Sequence, residues 1–260
     1  MGWQEAGRGW GARAQEWAYL FEPYARPANE LVFGRLSVED GTRLLDIACG
    51  SGYAAGLAAG RGATVVGLDA SEPLLAIARA RIPDGDFRTG DMFALPFDAA
   101  SFDVATSFNG IWKGCEAALA EAWRVLRPGG LFGMTFWGAP KHLGLLPYFA
   151  KVFELSPPDH SAASLEQGDT GRSGVVEDMF AATGFKLVER GAVEVVNEWP
   201  DLPTAVRAMA AAGPSVPAIE QIGYDAFLNA LTEAFRPLYD EHVGLRIRSQ
   251  LGWATARKEG

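Results

Sequence analysis

A glycine-rich turn between an apolar run and a helical pattern leaves few folds open to this chain. Residues 43–48 read RLLDIA, residues 49–52 read CGSG, and a helical pattern follows over about 53–60. Gly50 and Gly52 allow a tight turn and a close approach of the backbone to a ligand. A strand, a glycine turn and a helix in this order are typical of nucleotide-binding α/β folds. The turn therefore predicts both a fold class and a cofactor site.

The sequence around this turn alternates short strand patterns with longer helical ones, which is the signature of βαβ units. One helix is predicted to begin after Ser71 as its N-cap. Another is predicted over about 115–126, ending before the breaker sequence RPGG of residues 127–130. The predicted strands lie at about 43–48, 63–68, 86–89, 102–107 and 130–136. Together these elements predict a Rossmann-like α/β fold with a doubly wound, mostly parallel sheet.

Two later strand patterns, at about 185–196 and 245–256, are predicted to complete a seven-stranded sheet as an antiparallel pair. The proline-rich segments before and between them are predicted to be helical pieces over the carboxyl edge of the sheet, where open α/β sheets bind ligands. The chain is thus divided into an N-terminal helical lid, a core and an inserted helical cap over the acceptor site. The lid is 1–40, the core is 41–137 with 176–197 and 244–260, and the cap is 138–175 with 198–243.

The charge balance argues against nucleic acid as a partner. The formal net charge is −9, whereas nucleic-acid binding depends on clustered Lys and Arg that neutralise phosphates. Two cysteines are too few for a disulfide framework. No apolar stretch has the length of a membrane span or the pattern of a secretion signal. The sequence therefore predicts a cytoplasmic protein that acts on neither nucleic acid nor membrane.

The charge of one residue separates two classes of nucleotide cofactor. The spacing Gly50-x-Gly52-x-x-Ala55 also fits a dinucleotide site, in which a pyrophosphate rests on a helix N-terminus. Asp46, at the end of the preceding strand, is expected to point into the same crevice and to repel a pyrophosphate. S-adenosylmethionine carries a sulfonium and an ammonium but no phosphate. The Coulomb interaction therefore favours it over NAD or FAD.

Acidic residues also end the next two predicted strands. Asp69 follows residues 65–68 and is placed to accept hydrogen bonds from ribose hydroxyls, although a structural role at the start of the next helix is an alternative. Asp91 and Met92 follow the short third strand. An acid there can accept a hydrogen bond from the exocyclic amine of adenine, while the methionine packs on the ring. Acids at three successive strand ends indicate a nucleoside site.

These motifs together resemble the class I S-adenosylmethionine-dependent methyltransferases, in the branch with the ubiquinone and menaquinone biosynthesis enzymes and many natural-product methyltransferases. The resemblance runs over residues 43–137 and includes the glycine turn, the LPF sequence of residues 95–97 and the RVLRPGG sequence of residues 124–130. The sequence departs from the family at Ala48, where the family has the first glycine of its motif. Alanine is small enough to leave room for the methionine moiety.

The resemblance implies S-adenosyl-L-methionine as the cofactor and S-adenosyl-L-homocysteine as the product. It places Asp46 or its loop neighbours near the methionine ammonium, and Phe108 beside the cofactor after the fourth strand. It also implies that an aromatic N-terminal helix covers the cofactor, although a plain packed amphipathic helix is an equal alternative. The predicted cofactor-binding residues are Asp46, Ala48, Gly50, Gly52, Asp69, Ala70, Asp91, Met92, Phe108 and Trp10.

The acceptor is predicted to be a small, apolar or aromatic molecule. Residues 107–112 read SFNGIW and lack the two prolines found at this place in enzymes that methylate nucleobase or glutamine nitrogens. Asn109, Trp112 and Tyr24 are candidates for the acceptor pocket, although a turn role for Asn109 is at least as well supported. Transfer from a sulfonium releases a neutral thioether. The protein therefore mainly positions and dehydrates the reactants, and no obligatory catalytic motif is expected.

A hydroxyl acceptor would benefit from a general base, for which His142 and His160 are weak candidates with surface or structural roles as alternatives. No set of His, Asp and Glu shows ligand spacing, so no metal is predicted.

Two other functions stay open: an S-adenosylmethionine-binding sensor or cyclase that transfers no methyl group, and an NAD(P)-dependent oxidoreductase. Asp46 and the lack of a Tyr-x-x-x-Lys pair argue against the oxidoreductase. The methylated atom, the pathway and the choice between monomer and homodimer also stay open.

Overall fold

One mixed sheet forms the centre of the computed structural model, which describes residues 2–158 and 169–259. Its strands are β1 (Arg43–Ile47), β2 (Thr64–Asp69), β3 (Asp86–Thr89), β4 (Phe102–Phe108), β5 (Leu126–Trp137), β6 (Phe185–Trp199), β7 (Tyr239–Asp240) and β8 (Gly244–Lys258). Seven of them lie side by side in the order β3-β2-β1-β4-β5-β8-β6, and the two-residue β7 pairs with β8. The predicted Rossmann-like sheet is confirmed, with β7 as a short addition.

The direction of the strands determines which ends of the sheet meet. β1 to β5 are all parallel. β8 runs antiparallel to β5, and β6 runs antiparallel to β8, so the predicted late antiparallel pair is confirmed. Because β6 has the same direction as β5, its carboxyl end lies at the same edge as the carboxyl ends of β1, β2 and β4. Every predicted cofactor residue from Asp46 onward lies on a strand that ends at this edge or in the loop that follows it.

The fifth strand begins at Leu126 rather than at about 130, which corrects the predicted boundary. Phe102 pairs with Leu126 and Val104 pairs with Leu131, so the residues between Leu126 and Leu131 form an irregularity in β5. Extra residues on one of two paired strands form a bulge, and the left-handed Gly129 accommodates it. The RPGG sequence therefore interrupts the strand pairing without ending the strand.

Helices cover both faces of the sheet and its carboxyl edge. They are α1 (Trp3–Gly11), α2 (Ala14–Glu16), α3 (Arg26–Arg35), α4 (Tyr53–Ala59), α5 (Glu72–Arg81), α6 (Glu116–Val125), α7 (Leu146–Leu155), α8 (Val175–Ala182), α9 (Leu202–Ala210), α10 (Val216–Ile222) and α11 (Tyr224–Phe235). Ser71 is the N-cap of α5, as predicted, and its hydroxyl accepts a hydrogen bond from the backbone N–H of Leu74. None of the helices in the described ranges is long and apolar enough to cross a membrane.

The N-terminal segment, defined here as residues 2–35, changes helix type near Pro23. A π-helical turn covers Trp17–Phe21, and a 3-10 turn covers Glu22–Ala25. Proline lacks the N–H that an α-helix needs in its interior, which accounts for the change of helix type at Pro23. The two turns join α2 to α3.

The N-terminal segment, the cap helices and the carboxyl end of β6 share one hydrophobic core. Its largest side chains come from all three parts of the chain and include Phe21, Tyr148, Trp199, Met209 and Phe227. A second core lies between the sheet and α6 and α8, and a third lies between the sheet and α3, α4 and α5. Because the first core draws on distant parts of the sequence, neither the N-terminal segment nor the cap packs as a separate unit.

Candidate functional site

The glycine loop leaves the carboxyl end of β1 through residues with left-handed backbone conformation. The φ angles are +57° at Ala48, +54° at Gly50 and +72° at Gly52, and α4 begins directly afterwards. This conformation is open to glycine, but it costs any other L-residue about 1–2 kcal/mol. Ala48 therefore holds backbone strain at the position where the sequence departs from the family. A Cβ atom at Gly110 would lie 2.5 Å from that of Ala48, so the chain after β4 packs closely on the loop.

Asp69, the last residue of β2, connects the glycine loop to the start of α5. One carboxylate oxygen accepts a hydrogen bond from the backbone N–H of Gly50, and the other accepts one from the N–H of Ser71, each at 2.8 Å. Burial raises the pKa of this carboxyl, and these backbone N–H groups oppose the rise. The structural role left open for Asp69 is therefore present. Each oxygen has a further lone pair for a ligand hydroxyl.

Asp46 lies one strand away and is 1% exposed. It is opposite Thr106 of β4, whose hydroxyl donates a hydrogen bond of 2.8 Å to one carboxylate oxygen. The pKa of Asp46 is raised to about 7, mainly by burial; the hydrogen bond from Thr106 opposes the rise, and the nearby charges of Glu22 and Asp69 add to it. The ionised form of Asp46 is thus disfavoured unless a positive charge lies beside it.

Glu22 is a third acid at this site, with a side chain that is 14% exposed, and it comes from the N-terminal segment. Its carboxylate accepts hydrogen bonds from the hydroxyl of Ser51 and from Arg81, whose nearest guanidinium nitrogen lies 3.2 Å away. A second guanidinium nitrogen of Arg81 donates to the carbonyl oxygen of Ala18 at 3.0 Å. Desolvation raises the pKa of Glu22 to about 7, against the effects of Ser51 and Arg81. These contacts fasten the N-terminal segment to the glycine loop.

The sequence interpretation did not identify Glu22. It lies in an aromatic run before Pro23 and has no spacing relationship with the glycine loop 29 positions later. Its only local signal is that it is the one charged residue in the stretch 17–25. Only the folded chain brings it to Ser51.

The negative charges of Glu22 and Asp69 raise the pKa of Asp46, so the three carboxylates form one electrostatic group. Arg81 supplies the guanidinium that is hydrogen-bonded to this group, at Glu22. Buried charges require a partner of opposite sign or they become protonated. The residues present therefore fit a cofactor with concentrated positive charge near the glycine loop. S-adenosylmethionine, with a sulfonium and an ammonium, satisfies this requirement, whereas a pyrophosphate does not.

The predicted adenine turn lies next to Asp69. The backbone N–H of Gly90 donates to the carbonyl oxygen of Asp69 at 3.0 Å, which joins the ends of β2 and β3. Asp91 is half-buried, and one of its oxygens accepts a hydrogen bond from the N–H of Phe93 at 2.9 Å. Met92 packs against the second core, between the sheet and the helices α6 and α8. The structure thus places Asp91 and Met92 beside Asp69, and their contact with adenine stays a prediction.

The chain after β4 meets the N-terminal segment. The side-chain amide nitrogen of Asn109 donates to the hydroxyl of Tyr24 at 3.3 Å, and Asn109 has a left-handed φ of +56°. Burial raises the pKa of Tyr24 well above its ordinary value, so its phenol stays protonated and can donate a hydrogen bond. Phe108 packs edge-on against Phe33 of α3, with ring centroids 5.2 Å apart. Two of the predicted acceptor residues, Asn109 and Tyr24, are therefore in contact.

The other predicted residues lie apart from this contact. Trp10 packs edge-on against Trp17 and against Gly213 of the cap, and Ala70 touches Gly7 of the same N-terminal helix through its carbonyl group. Trp112 packs against the core between the sheet and α6. His142 lies on an exposed 3-10 turn, and His160 is outside the described residues. The geometry offers no support for His142 as a base.

Comparisons with known proteins identify methyltransferases as relatives of this chain. A family described as a methyltransferase domain matches residues 45–134. A probable S-adenosylmethionine-dependent methyltransferase of Mycolicibacterium smegmatis is 40% identical over 115 residues, which cover 43% of this chain and only 44% of that protein. An uncharacterised methyltransferase of Synechocystis is 34% identical over 180 residues, which cover 65% of this chain and 84% of that protein.

The fold is also shared with solved structures. The cyclase SpnF superimposes with a TM-score of 0.57 at 21% identity, over 90% of this chain and 81% of that one. At this identity the likeness concerns the fold alone. The same sheet and helices thus carry a cyclase as well as methyltransferases, so the acceptor chemistry has to be argued from the site.

Proposed function

This chain belongs to the class I S-adenosylmethionine-dependent methyltransferases, and we propose that it methylates a small acceptor that is apolar or aromatic. We infer that S-adenosylmethionine binds at the edge where the carboxylates of Glu22, Asp46 and Asp69 lie. The acceptor has to bind beside it at the same edge. The side chains at that place are therefore the ones that select it.

Aromatic rings at the carboxyl edge of β5 carry this proposal. Tyr24 stacks on Trp137, the last residue of β5, with ring centroids 5.7 Å apart and planes inclined by 9°. Trp137 meets Phe149 of α7 edge-on at 5.7 Å, and Phe149 meets Tyr148 at 4.9 Å. The stack thus joins the N-terminal segment, the sheet and the cap. Stacked and edge-on aromatic surfaces of this kind favour planar apolar ligands.

The chain has three tasks in the transfer. The carboxylates of Glu22, Asp46 and Asp69 hold positive charge at the glycine loop, which favours the cofactor over a phosphate-bearing nucleotide. The N-terminal segment and the cap keep water away from the edge. The protonated phenol of Tyr24, held by Asn109, orients a polar atom of the acceptor. When bound, the cofactor supplies an electrophilic methyl group on a sulfonium.

The proposal is tested with S-adenosylmethionine that carries a radiolabelled methyl group. Phenols, naphthols, aromatic amines and aliphatic polyols serve as acceptors, and organic-phase radioactivity and S-adenosylhomocysteine are both measured. We expect transfer to aromatic acceptors and little to polyols. A Tyr24→Phe variant should lower transfer about tenfold while S-adenosylhomocysteine affinity, measured by calorimetry, stays unchanged. Tight binding of S-adenosylhomocysteine without transfer to any acceptor would contradict the proposal and support a non-methylating function.

A further inference from the structure

A cavity of about 220 Å³ lies between the N-terminal segment and the carboxyl end of β6. Phe21, Pro23 and Tyr24 form part of one wall, and Asn197 and Glu198 form part of the other. The wall that contains Tyr24 also borders the cofactor side, because Tyr24 contacts Asn109 and Glu22 reaches the glycine loop. The cavity therefore shares Tyr24 with the predicted acceptor site.

Asn197 is the unusual residue of this cavity. It is 2% exposed and lies on the inner face of β6 between Val195 and Trp199, which both belong to the core shared by the N-terminal segment and the cap. Neither the oxygen nor the nitrogen of its side-chain amide has a hydrogen-bond partner among the described residues. An apolar residue of the same size would pack there without this cost, since a buried amide without partners lowers stability. A residue that breaks the packing rule in this way is typical of a functional position.

The N-terminal segment covers the side chain of Asn197. The indole N–H of Trp199 donates to the carbonyl oxygen of Leu20 at 2.7 Å, which fastens the segment to the end of β6 two residues beyond Asn197. A ligand would reach the amide by displacing this part of the segment, which Glu22 also fastens to the glycine loop through its hydrogen bond with Ser51.

We propose that Asn197 recognises a donor and an acceptor on adjacent atoms of the methyl acceptor, such as the N–H and C=O of a lactam or a carboxamide. A primary amide offers one acceptor oxygen and a donor nitrogen side by side, and a lactam presents the complementary pair in one plane. The rings of Phe21 and Tyr24 match a planar skeleton, and the cavity has room for a small bicyclic ring. This inference rests on the proposed function and narrows its substrate class.

Three bicyclic probes test the recognition without knowledge of the natural acceptor. Isoquinolinone has the lactam pair, N-methylisoquinolinone lacks the donor, and naphthalene lacks both groups. Their binding to the full chain with S-adenosylhomocysteine present is measured by calorimetry. We expect isoquinolinone to bind at least about tenfold more tightly than the other two, which corresponds to about 1.4 kcal/mol. Equal affinities, or no binding of isoquinolinone up to its solubility, overturn the proposal.

An Asn197→Leu variant tests the residue itself. We expect it to lose the preference for isoquinolinone, to keep the binding of naphthalene and to melt at a higher temperature, because leucine removes the unpaired amide. The matched control is Asn29→Leu, since Asn29 is also buried with an unpaired amide oxygen but does not line the cavity. It should keep the preference. A persisting preference in Asn197→Leu, or a lower melting temperature without any change in selectivity, assigns Asn197 a purely structural role.

The two proposals fail separately. Selective binding of isoquinolinone without methyl transfer to any acceptor retains the recognition site and contradicts the methyl-transfer proposal. Methyl transfer to aromatic acceptors with equal binding of all three probes retains the enzyme and contradicts the role of Asn197.

Discussion

Single residues of this site serve the fold and the ligand at once. Asp69 holds two backbone N–H groups, one in the glycine loop and one at the start of α5. Ala48 keeps a left-handed conformation that costs free energy. The loop that receives the cofactor is thus shaped by contacts that exist without it. Substitutions here therefore change stability as well as affinity, and the two effects have to be measured separately.

An Asp69→Asn substitution separates these effects. Asparagine has one acceptor oxygen, so its amide nitrogen would face one of the two backbone N–H groups, at Gly50 or Ser71. We expect the free energy of unfolding of the cofactor-free protein to fall by about 1–3 kcal/mol, and S-adenosylhomocysteine binding to weaken as well. Urea unfolding and calorimetry measure the two quantities.

Asp91→Asn is the matched control, because Asp91 begins the neighbouring turn, is half-exposed and accepts one hydrogen bond from the backbone N–H of Phe93. Its effect on stability should stay within about 0.5 kcal/mol. If Asp69→Asn unfolds at the same urea concentration as the unmodified chain, the two backbone hydrogen bonds do not stabilise the loop.

At the scale of elements, α1 lies against the loop that joins β2 to α5. A Cβ atom at Gly7 would be 2.0 Å from the carbonyl oxygen of Ala70, and one at Gly11 would be 2.8 Å from the hydroxyl of Ser71. Such distances leave no room for a side chain at Gly7. The helix therefore approaches the loop after Asp69 through glycine, and its position depends on those glycines.

Gly7→Ala is expected to move α1 away from this loop. The result should be a lower melting temperature and S-adenosylhomocysteine affinity reduced about tenfold or more, both relative to Gly9→Ala. Gly9 lies in the same helix, but a Cβ there would meet only Val216 at 3.8 Å. Both substitutions gain about 1 kcal/mol of helix propensity, so their difference reports the contact with Ala70. Equal affinities in the two variants would show that α1 does not cover the cofactor.

The elements differ in how well the sequence predicts them. The strands that carry Asp46 and Asp69, and the N-cap at Ser71, can be predicted from the sequence, because periodicity and capping are local properties. The start of β5 was misplaced, since RPGG has the composition of a turn and only the pairing of Phe102 with Leu126 makes it a bulge. Contacts between distant segments were not accessible. Glu22 at the glycine loop and Asn197 behind Phe21 and Tyr24 depend on how the N-terminal segment crosses the edge of the sheet.

At the scale of the whole molecule, the cofactor site and the core depend on one another. The N-terminal segment contributes Phe21 to the core shared with the cap and Glu22 to the group of buried carboxylates. A ligand that compensates the charge of Glu22 therefore also stabilises the packing of a core formed from three parts of the chain. Cofactor binding should raise the stability of the entire fold rather than that of one loop.

The pH dependence of this stabilisation has a definite sign. The pKa values of Glu22 and Asp46 are raised to about 7, mainly by burial. Carboxyls with raised pKa favour the folded, cofactor-free state fully below their ordinary pKa, and this contribution is lost as the pH rises through about 7. The charged groups that face them are Arg81 and Asp69. Through Glu22 and Asp46, the free energy of unfolding of the cofactor-free protein should therefore fall as the pH rises from about 5 to about 8.

A bound sulfonium and ammonium reverse this trend, because they favour the ionised carboxylates. We expect S-adenosylmethionine affinity to rise with pH below about 7, by up to about tenfold per pH unit for each proton released on binding. S-adenosylhomocysteine lacks the sulfonium charge, so its affinity should depend less steeply on pH. Glu22→Gln should lower the number of protons released on S-adenosylmethionine binding by one, and with it the slope of affinity against pH. Calorimetry between about pH 5.5 and pH 7.5 measures these slopes. A flat affinity for S-adenosylmethionine over this range would mean that the buried acids are not the groups that receive its positive charge.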